Sequence, residues 1–127
     1  MRRAGKVDRP QEKESDILRT IMDGLAAKRI WAIRMNSGGM YGVHKGKRWA
    51  VKFGRKGMAD ILAVLHVASP GGIPGGHCWM SSRIYWIECK TATGKQSPEQ
   101  AEFQQEVEAE GHRYLLVRSW EELEAKL

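Results

Sequence analysis

Two apolar runs of strand length constrain this chain most strongly. Residues 59–67 and 84–90 are rich in Ile, Val, Leu and aromatic side chains, which is typical of buried β-strands. Between them, residues 69–76 consist of Ser, Pro, Gly and a single Ile, and we expect them to form a loop. A chain of 127 residues is long enough to bury one such core, so we predict a single domain over residues 1–127.

Helical patterns lie before and after these strands. Apolar residues recur every three or four positions over residues 10–28 and predict an amphipathic helix. The capping-box pattern of Ser97 and Gln100 predicts a second helix as far as residue 110, and Ser119 opens a short final helix. The order α-β-(ββ)-β-β-α-β-α predicts a mixed α/β sandwich. Shorter strands complete this order at residues 30–35, 41–44, 49–53 and 114–117.

Charge is distributed unevenly along the chain. The residues up to Lys56 include 15 basic and 5 acidic ones, a net charge of +10, whereas the later residues include 6 and 10, a net charge of −4. A basic first half is typical of proteins that bind a polyanion such as nucleic acid, although ordinary solubility charge also explains it. Residues 1–9 are expected to form a basic arm.

A basic hairpin is expected over residues 40–56. Its Lys and Arg residues alternate with aromatic ones, which suits contacts with nucleic-acid phosphates. A solvated basic surface is the alternative interpretation. The candidates for phosphate contacts are Lys45, Lys47, Arg48, Lys52, Arg55 and Lys56.

Neither a membrane segment nor a secretory signal is expected. No apolar run approaches the roughly 20 residues that a membrane helix needs, and the basic N-terminal residues are not followed by an apolar segment. Cys78 and Cys89 alone do not form a disulfide scaffold. We therefore expect a cytoplasmic protein with no membrane partner.

Charged residues stand at the ends of the two apolar runs. Because side chains alternate along a strand, Glu88 and Lys90 share one face. A carboxylate can bind a hard cation and an ammonium can orient water or neutralise phosphate charge, although an exposed ion pair has the same pattern. Asp60 is either a turn cap or a second ligand. Two carboxylates at one sheet edge would suit Mg²⁺.

The two long helices offer further candidates. Glu14 shares a helical stripe with Ile17 and Leu18, so it either points inward towards a metal or partner, or stays in water at the helix N-terminus. Gln100 belongs to the capping box and shares a face with Phe103, so it can also face the sheet.

Taken together, these segments resemble the VRR-NUC family of the PD-(D/E)XK nuclease superfamily. The resemblance extends over about residues 12–123. It differs at Ala59, where the superfamily has Pro, and in the long Gly/Pro-rich loop over residues 68–82. Five motifs carry it, in this order: Glu14-Ser15-Asp16-Ile17, Asn36-Ser37-Gly38, Gly57-Met58-Ala59-Asp60-Ile61, Ile87-Glu88-Cys89-Lys90 and Ser97-Pro98-Glu99-Gln100.

The resemblance implies a PD-(D/E)XK core, which is restriction-endonuclease-like, and a site for Mg²⁺ or Mn²⁺. The implied ligands are Asp60, Glu88 and the backbone carbonyl of Cys89. Glu14 would support the metal directly or through water.

The resemblance also implies the reaction, which is hydrolysis of DNA phosphodiester bonds to 5′-phosphate and 3′-hydroxyl ends. Lys90 would be the catalytic lysine beside the attacking water, and Gln100 would lie near the active site. Small stand-alone members, often encoded by phages, resemble Holliday-junction resolvases that cut as homodimers. A flap or nicking nuclease of the same fold and a non-cleaving nucleic-acid-binding module are the alternatives.

Overall fold

A computed structural model of the protein describes four stretches of the chain: residues 12–35, 39–52, 54–69 and 79–127. The expected basic arm, the Asn36-Ser37-Gly38 motif and most of the Gly/Pro-rich loop lie outside the described residues. The extent of the single domain therefore stays a prediction.

The described residues form three helices and six strands, so the predicted mixed α/β class is confirmed. The helices are α1 (Glu14–Ala27), α2 (Pro98–Ala109) and α3 (Trp120–Glu124). The strands are β1 (Trp31–Arg34), β2 (Gly39–His44), β3 (Lys47–Lys52), β4 (Ile61–Ser69), β5 (Trp79–Cys89) and β6 (Arg113–Val117).

The central sheet is mixed and has four strands in the order β1-β4-β5-β6. β4 pairs antiparallel with both β1 and β5, whereas β5 and β6 are parallel. A parallel pair needs a crossover, and α2 provides it between β5 and β6. β2 and β3 form a separate antiparallel pair. No helix in the described part of the chain is long and apolar enough to cross a membrane.

Helices pack against both faces of the central sheet. α2 places Phe103 and Val107 against one face, where the rings of Phe103 and Trp86 lie 5.0 Å apart in an edge-to-face arrangement. The other face forms the larger core with α1 and α3, which contribute Ile17, Leu18, Ile21, Leu25 and Leu123. Because strand side chains alternate, Cys89 lies in this larger core whereas Glu88 faces the α2 side.

The largest differences from the predicted boundaries are at the starts of α1 and β5. α1 begins at Glu14 rather than at residue 10, and Lys13, its N-cap residue, has extended backbone and no side-chain cap. No buried apolar side chain precedes Ile17 in the described part of this segment, so nothing there holds an earlier turn against the sheet.

β5 begins at Trp79 rather than at residue 84, because its pairing with β4 extends as far as Ser69 opposite Trp79. Residues at both ends of the expected loop therefore belong to strands. Ser81, Ser82 and Arg83 are exposed, so this part of β5 lacks the apolar pattern by which a buried strand is detected.

Candidate metal centre

Three carboxylates meet at the sheet edge where β4 begins and β5 ends. Asp60 lies in the bend before β4, and Glu88 is the second-last residue of β5. The pairing of Ile61 with Ile87 places these two positions side by side. Glu14 reaches the same edge from the first turn of α1. One carboxylate oxygen from each of the three residues lies within 4.8 Å of the other two.

The cluster extends from the protein interior to the solvent. Glu88 is only 1% exposed, Asp60 is half-buried and Glu14 is exposed. Glu14 thus stays in contact with water, as one interpretation of the sequence predicted, and one of its oxygens also lies in the cluster. Its role at a metal stays a prediction. A cation arriving from solvent would meet Glu14 first and the buried carboxylate last.

A backbone hydrogen bond from the neighbouring strand holds Asp60. The N–H of Cys89 donates to Asp60 Oδ2 at 2.8 Å, and the N–H of Met35 donates to the Asp60 carbonyl at 2.7 Å. Asp60 is therefore attached both to β5 and to the end of β1. The Cys89 thiol is buried in the larger core, which together with the nearby carboxylates raises its pKa and makes it unreactive.

Glu88 has one satisfied oxygen and one unsatisfied oxygen. Its Oε1 accepts a hydrogen bond from Gln100 Nε2 at 2.8 Å and lies 3.4 Å from Lys90 Nζ. Its Oε2 is buried and has no hydrogen-bond partner in the described part of the chain. A buried carboxylate oxygen without a partner is costly, so this atom is suited to receive either a proton or a cation.

Burial is the main reason that the pKa of Glu88 is raised from 4.5 to about 8. The negative charge of Asp60 raises it further, and the Lys90 ammonium opposes the shift. Near neutral pH the metal-free cluster therefore tends to keep a proton on Glu88. A divalent cation would replace this proton, because it stabilises the ionised form of closely spaced carboxylates.

Lys90 lies beside Glu88, largely shielded from solvent. Its side chain is 11% exposed, and its backbone N–H donates to the carbonyl of Val117 at 3.0 Å. The pair is therefore not the exposed strand-end ion pair that the sequence left as an alternative. The ammonium lies at the cluster, where it can donate to a bound water or an anionic oxygen.

Gln100 fulfils both roles that its position allowed. Its Oε1 accepts from the Ser97 N–H at 2.8 Å, while its own N–H donates to Ser97 Oγ at 3.2 Å, which completes the capping box of α2. Its Nε2 is thereby directed at Glu88. One amide side chain thus joins the start of α2 to the buried acid.

Gly57 lies against the start of α2. Its φ is +84°, a left-handed backbone conformation that glycine adopts without strain. A Cβ atom there would lie 2.4 Å from the carbonyl oxygen of Glu99. The α2 backbone therefore occupies the space beside Gly57, and this contact holds the helix that carries Gln100 next to the bend that carries Asp60.

Gly57→Ala is expected to destabilise the protein by about 2–4 kcal/mol, since the substitution combines a left-handed φ with a clash against backbone. Gly111→Ala is the matched control, because Gly111 also has φ +84° but a Cβ atom added there would meet nothing within 4 Å. It should cost only about 1 kcal/mol. Urea unfolding of both variants measures the difference, and equal losses would contradict the packing role of Gly57.

Arg118 is a positioning residue that the sequence analysis missed. Its Nη1 donates to the carbonyl of Gly94 at 2.8 Å and also to that of Thr91. The guanidinium therefore holds the segment between Lys90 and α2. No sequence motif marks such a residue, because its partners are backbone carbonyl groups that only the fold brings near.

Two of the predicted phosphate contacts already have partners within the chain. The guanidinium of Arg55 forms a bidentate pair with Glu106, with Nη2 2.7 Å from Oε1, and lies 5.8 Å from the ring centre of Phe103. Lys56 Nζ lies 3.2 Å from a carboxylate oxygen of Glu99. Their contact with phosphate stays a prediction, and it would compete with these exposed pairs.

The other predicted phosphate contacts belong to the β2–β3 hairpin. Lys45 lies in its turn, Lys47 and Arg48 begin β3, and all three are exposed. Lys52 is the last residue of β3. The structure therefore divides the six predicted contacts into two groups.

Comparisons with models of protein families, with curated proteins and with solved structures find no match. The chemistry of the three carboxylates must therefore indicate what the cluster binds. Carboxylate oxygens are hard ligands that suit Mg²⁺ and Mn²⁺. Among the described residues, Oε2 of Glu88 has no hydrogen-bond partner, so the residues present fit such an ion.

Proposed function

We propose that the protein is a metal-dependent DNA endonuclease in which Glu14, Asp60 and Glu88 bind Mg²⁺ or Mn²⁺. The observation that carries this proposal is the buried Oε2 of Glu88, which has no partner among the residues that the structure describes and lies within a cluster of three carboxylates. The net charge of +6 supports a polyanionic substrate. The basic protein surface would attract DNA. The negative cluster would leave the DNA phosphates unneutralised at this one point.

The residues of the site have distinct roles in this proposal. The bound ion would polarise a phosphoryl oxygen and lower the pKa of a water molecule. The Lys90 ammonium donates a hydrogen bond to the attacking water or to the phosphate oxygen on which negative charge develops. Asp60 is held in place by the Cys89 N–H, and Glu88 by Gln100. The backbone carbonyl of Cys89 is proposed as a further ligand.

The finer parts of the proposal concern the fold family and the substrate. The mixed sheet with helices on both faces is compatible with a PD-(D/E)XK core of the VRR-NUC type. We propose a cytoplasmic enzyme of the small, often phage-encoded type, which acts on branched DNA as a homodimer, like a Holliday-junction resolvase. A flap or nicking nuclease of the same fold is the alternative.

The proposal is tested by incubating the protein with four-way-junction, flap, nicked and linear DNA. We expect cleavage with Mg²⁺ or Mn²⁺ and none with EDTA, and products with 5′-phosphate ends. Light scattering with and without DNA decides between paired and single cuts, because a strict monomer cannot cut two strands symmetrically. Binding without cleavage under every metal condition would leave only a nucleic-acid-binding module.

Gln100→Ala is expected to weaken Mn²⁺ affinity and cleavage by roughly 10- to 100-fold, because Glu88 loses the group that orients it. Ser97→Ala is the matched control, since it also breaks the capping box, at a cost of about 1 kcal/mol, but leaves the Gln100 amide free to bond Glu88. Calorimetric titration with Mn²⁺ separates the two effects. If both variants lose metal affinity equally, Gln100 acts only through the stability of α2.

A further inference from the structure

The β2–β3 hairpin stands apart from the rest of the described structure. No Cα atom of its strands lies within 8 Å of a Cα atom in any other described helix or strand. A two-stranded hairpin has little stability of its own in water, and this one exposes large apolar side chains, with Val43 70% exposed and Trp49 41% exposed. Such a hairpin is suited to contact a partner rather than the protein core.

The charge of the hairpin indicates the kind of partner. Residues 39–52 include four basic residues, which are Lys45, Lys47, Arg48 and Lys52, and no acidic residue. Arg55 and Lys56 are paired with acidic residues of α2, whereas Lys45, Lys47 and Arg48 are exposed on the hairpin. A surface of this kind is complementary to a polyanion and repels a second copy of itself.

The strand register places an aromatic ring and a cation on the same face of the hairpin. Trp49 is opposite Gly42 and Lys47 is opposite His44, and residues that alternate along a strand share a face. The indole ring covers Gly42, because a Cβ atom at that position would lie 2.4 Å from the ring. The glycine thus supports one side of the ring, while part of the ring stays exposed beside Lys47.

We propose that Trp49 stacks on an unpaired base of the DNA substrate, with Lys47 neutralising the adjacent phosphate. Aromatic side chains stack on bases that have left a helix, whereas the base faces within a duplex are not accessible to them. The hairpin would therefore recognise single-stranded or branched DNA in preference to a continuous duplex. This inference rests on the proposed function only in taking DNA as the substrate.

The test is binding, measured by fluorescence anisotropy in EDTA so that no cleavage takes place. The probes are a labelled single-stranded oligonucleotide, the duplex of the same sequence and a four-way junction. Trp49→Ala is expected to weaken binding to the single strand by roughly 5- to 100-fold and to the duplex by less than about twofold. Trp49→Phe should restore most of the loss, because a smaller aromatic ring still stacks.

Three further variants make the test specific. Trp31→Ala removes another exposed tryptophan, one on β1 that is 56% exposed, and should leave binding unchanged. Gly42→Ala should reproduce the Trp49→Ala defect, since it displaces the ring. Lys47→Ala should weaken binding to every probe and reduce the slope of log affinity against log salt concentration by about 1. Because the Cα atoms of the hairpin strands lie more than 8 Å from those of every other described helix and strand, Trp49→Ala should not change the melting temperature.

The inference is overturned if Trp49→Ala leaves single-strand binding unchanged, weakens duplex binding equally, or is matched by Trp31→Ala. It is also overturned if the wild-type protein binds none of the probes. The failure of this inference can be distinguished from a failure of the proposed function, because binding in EDTA tests the inference and cleavage with Mg²⁺ or Mn²⁺ tests the function. If the protein cuts DNA but Trp49→Ala does not change single-strand binding, only the proposed nuclease activity stands. If Trp49 distinguishes single-stranded from duplex DNA but the protein does not cut, only the proposed role of the hairpin stands.

Discussion

Asp60→Asn will reduce the rate of DNA cleavage by about 1,000-fold or more, while DNA affinity stays within about threefold of the wild-type value. The substitution keeps the size of the side chain and an oxygen that can accept the Cys89 N–H, but it removes one negative charge from the cluster. The loss corresponds to several kcal/mol of transition-state stabilisation, which is the scale expected when a catalytic cation is lost.

Asp16→Asn is the matched control for this experiment. Asp16 lies in the first turn of α1 and is exposed, and it is outside the carboxylate cluster, so the same change of charge should leave cleavage within about twofold. Junction DNA with Mn²⁺ gives the cleavage rate, and anisotropy in EDTA gives the affinity. Normal cleavage by Asp60→Asn would refute our assignment of the site. Loss of both cleavage and binding would instead show that Asp60 is needed for the fold.

Glu88→Gln will abolish cleavage and yet stabilise the metal-free protein by a few kcal/mol near pH 8. In the folded state the pKa of Glu88 is raised from 4.5 to about 8, mainly by burial. The folded protein therefore holds this proton more tightly than the unfolded chain does. The contribution of this proton to the free energy of unfolding of the wild-type protein is fully present below about pH 4.5, and it is lost as the pH rises to about 8. A neutral glutamine does not have this dependence.

Urea unfolding at about pH 5 and about pH 8 measures this effect. The wild-type protein should lose stability between the two values, and Mn²⁺ at 100 times its dissociation constant should restore about 2.7 kcal/mol near pH 8. Glu88→Gln should respond to neither condition. Glu110→Gln, a change at an exposed residue at the end of α2, should behave as wild type. A wild-type stability that does not fall with pH would contradict an ionised, unpartnered Glu88.

Local patterns were sufficient for most of the fold. The capping box of Ser97 and Gln100 marks the start of α2, and the helical stripe that begins at Ile17 marks the buried face of α1. Both signals depend on interactions within a few residues of chain. They fail where packing decides the boundary, as at the start of α1 and in the exposed first half of β5, whose ends follow from pairing with β4.

The residue types of the site were recognisable for a related reason. A carboxylate at the mouth of an apolar strand is unusual, because burial penalises its charge unless a partner is present. Asp60 and Glu88 therefore stood out before any contact was known. The partners of Arg55 and Lys56 were not recognisable from the sequence. Glu106 and Glu99 are only two of several acidic residues on α2, and local spacing does not relate them to the basic residues.

The sequence by itself determined the mixed α/β class and the order of charged and apolar segments, and it predicted which residues would bind a cation. Only the tertiary structure decided that an oxygen of Glu14 lies within 4.8 Å of Asp60 and Glu88, and that Glu88 Oε2 is buried without a partner. The physical reason is range. Periodicity and capping act over one or two turns, whereas the carboxylate cluster joins the start of α1, the bend before β4 and the end of β5, which meet only when the chain has packed.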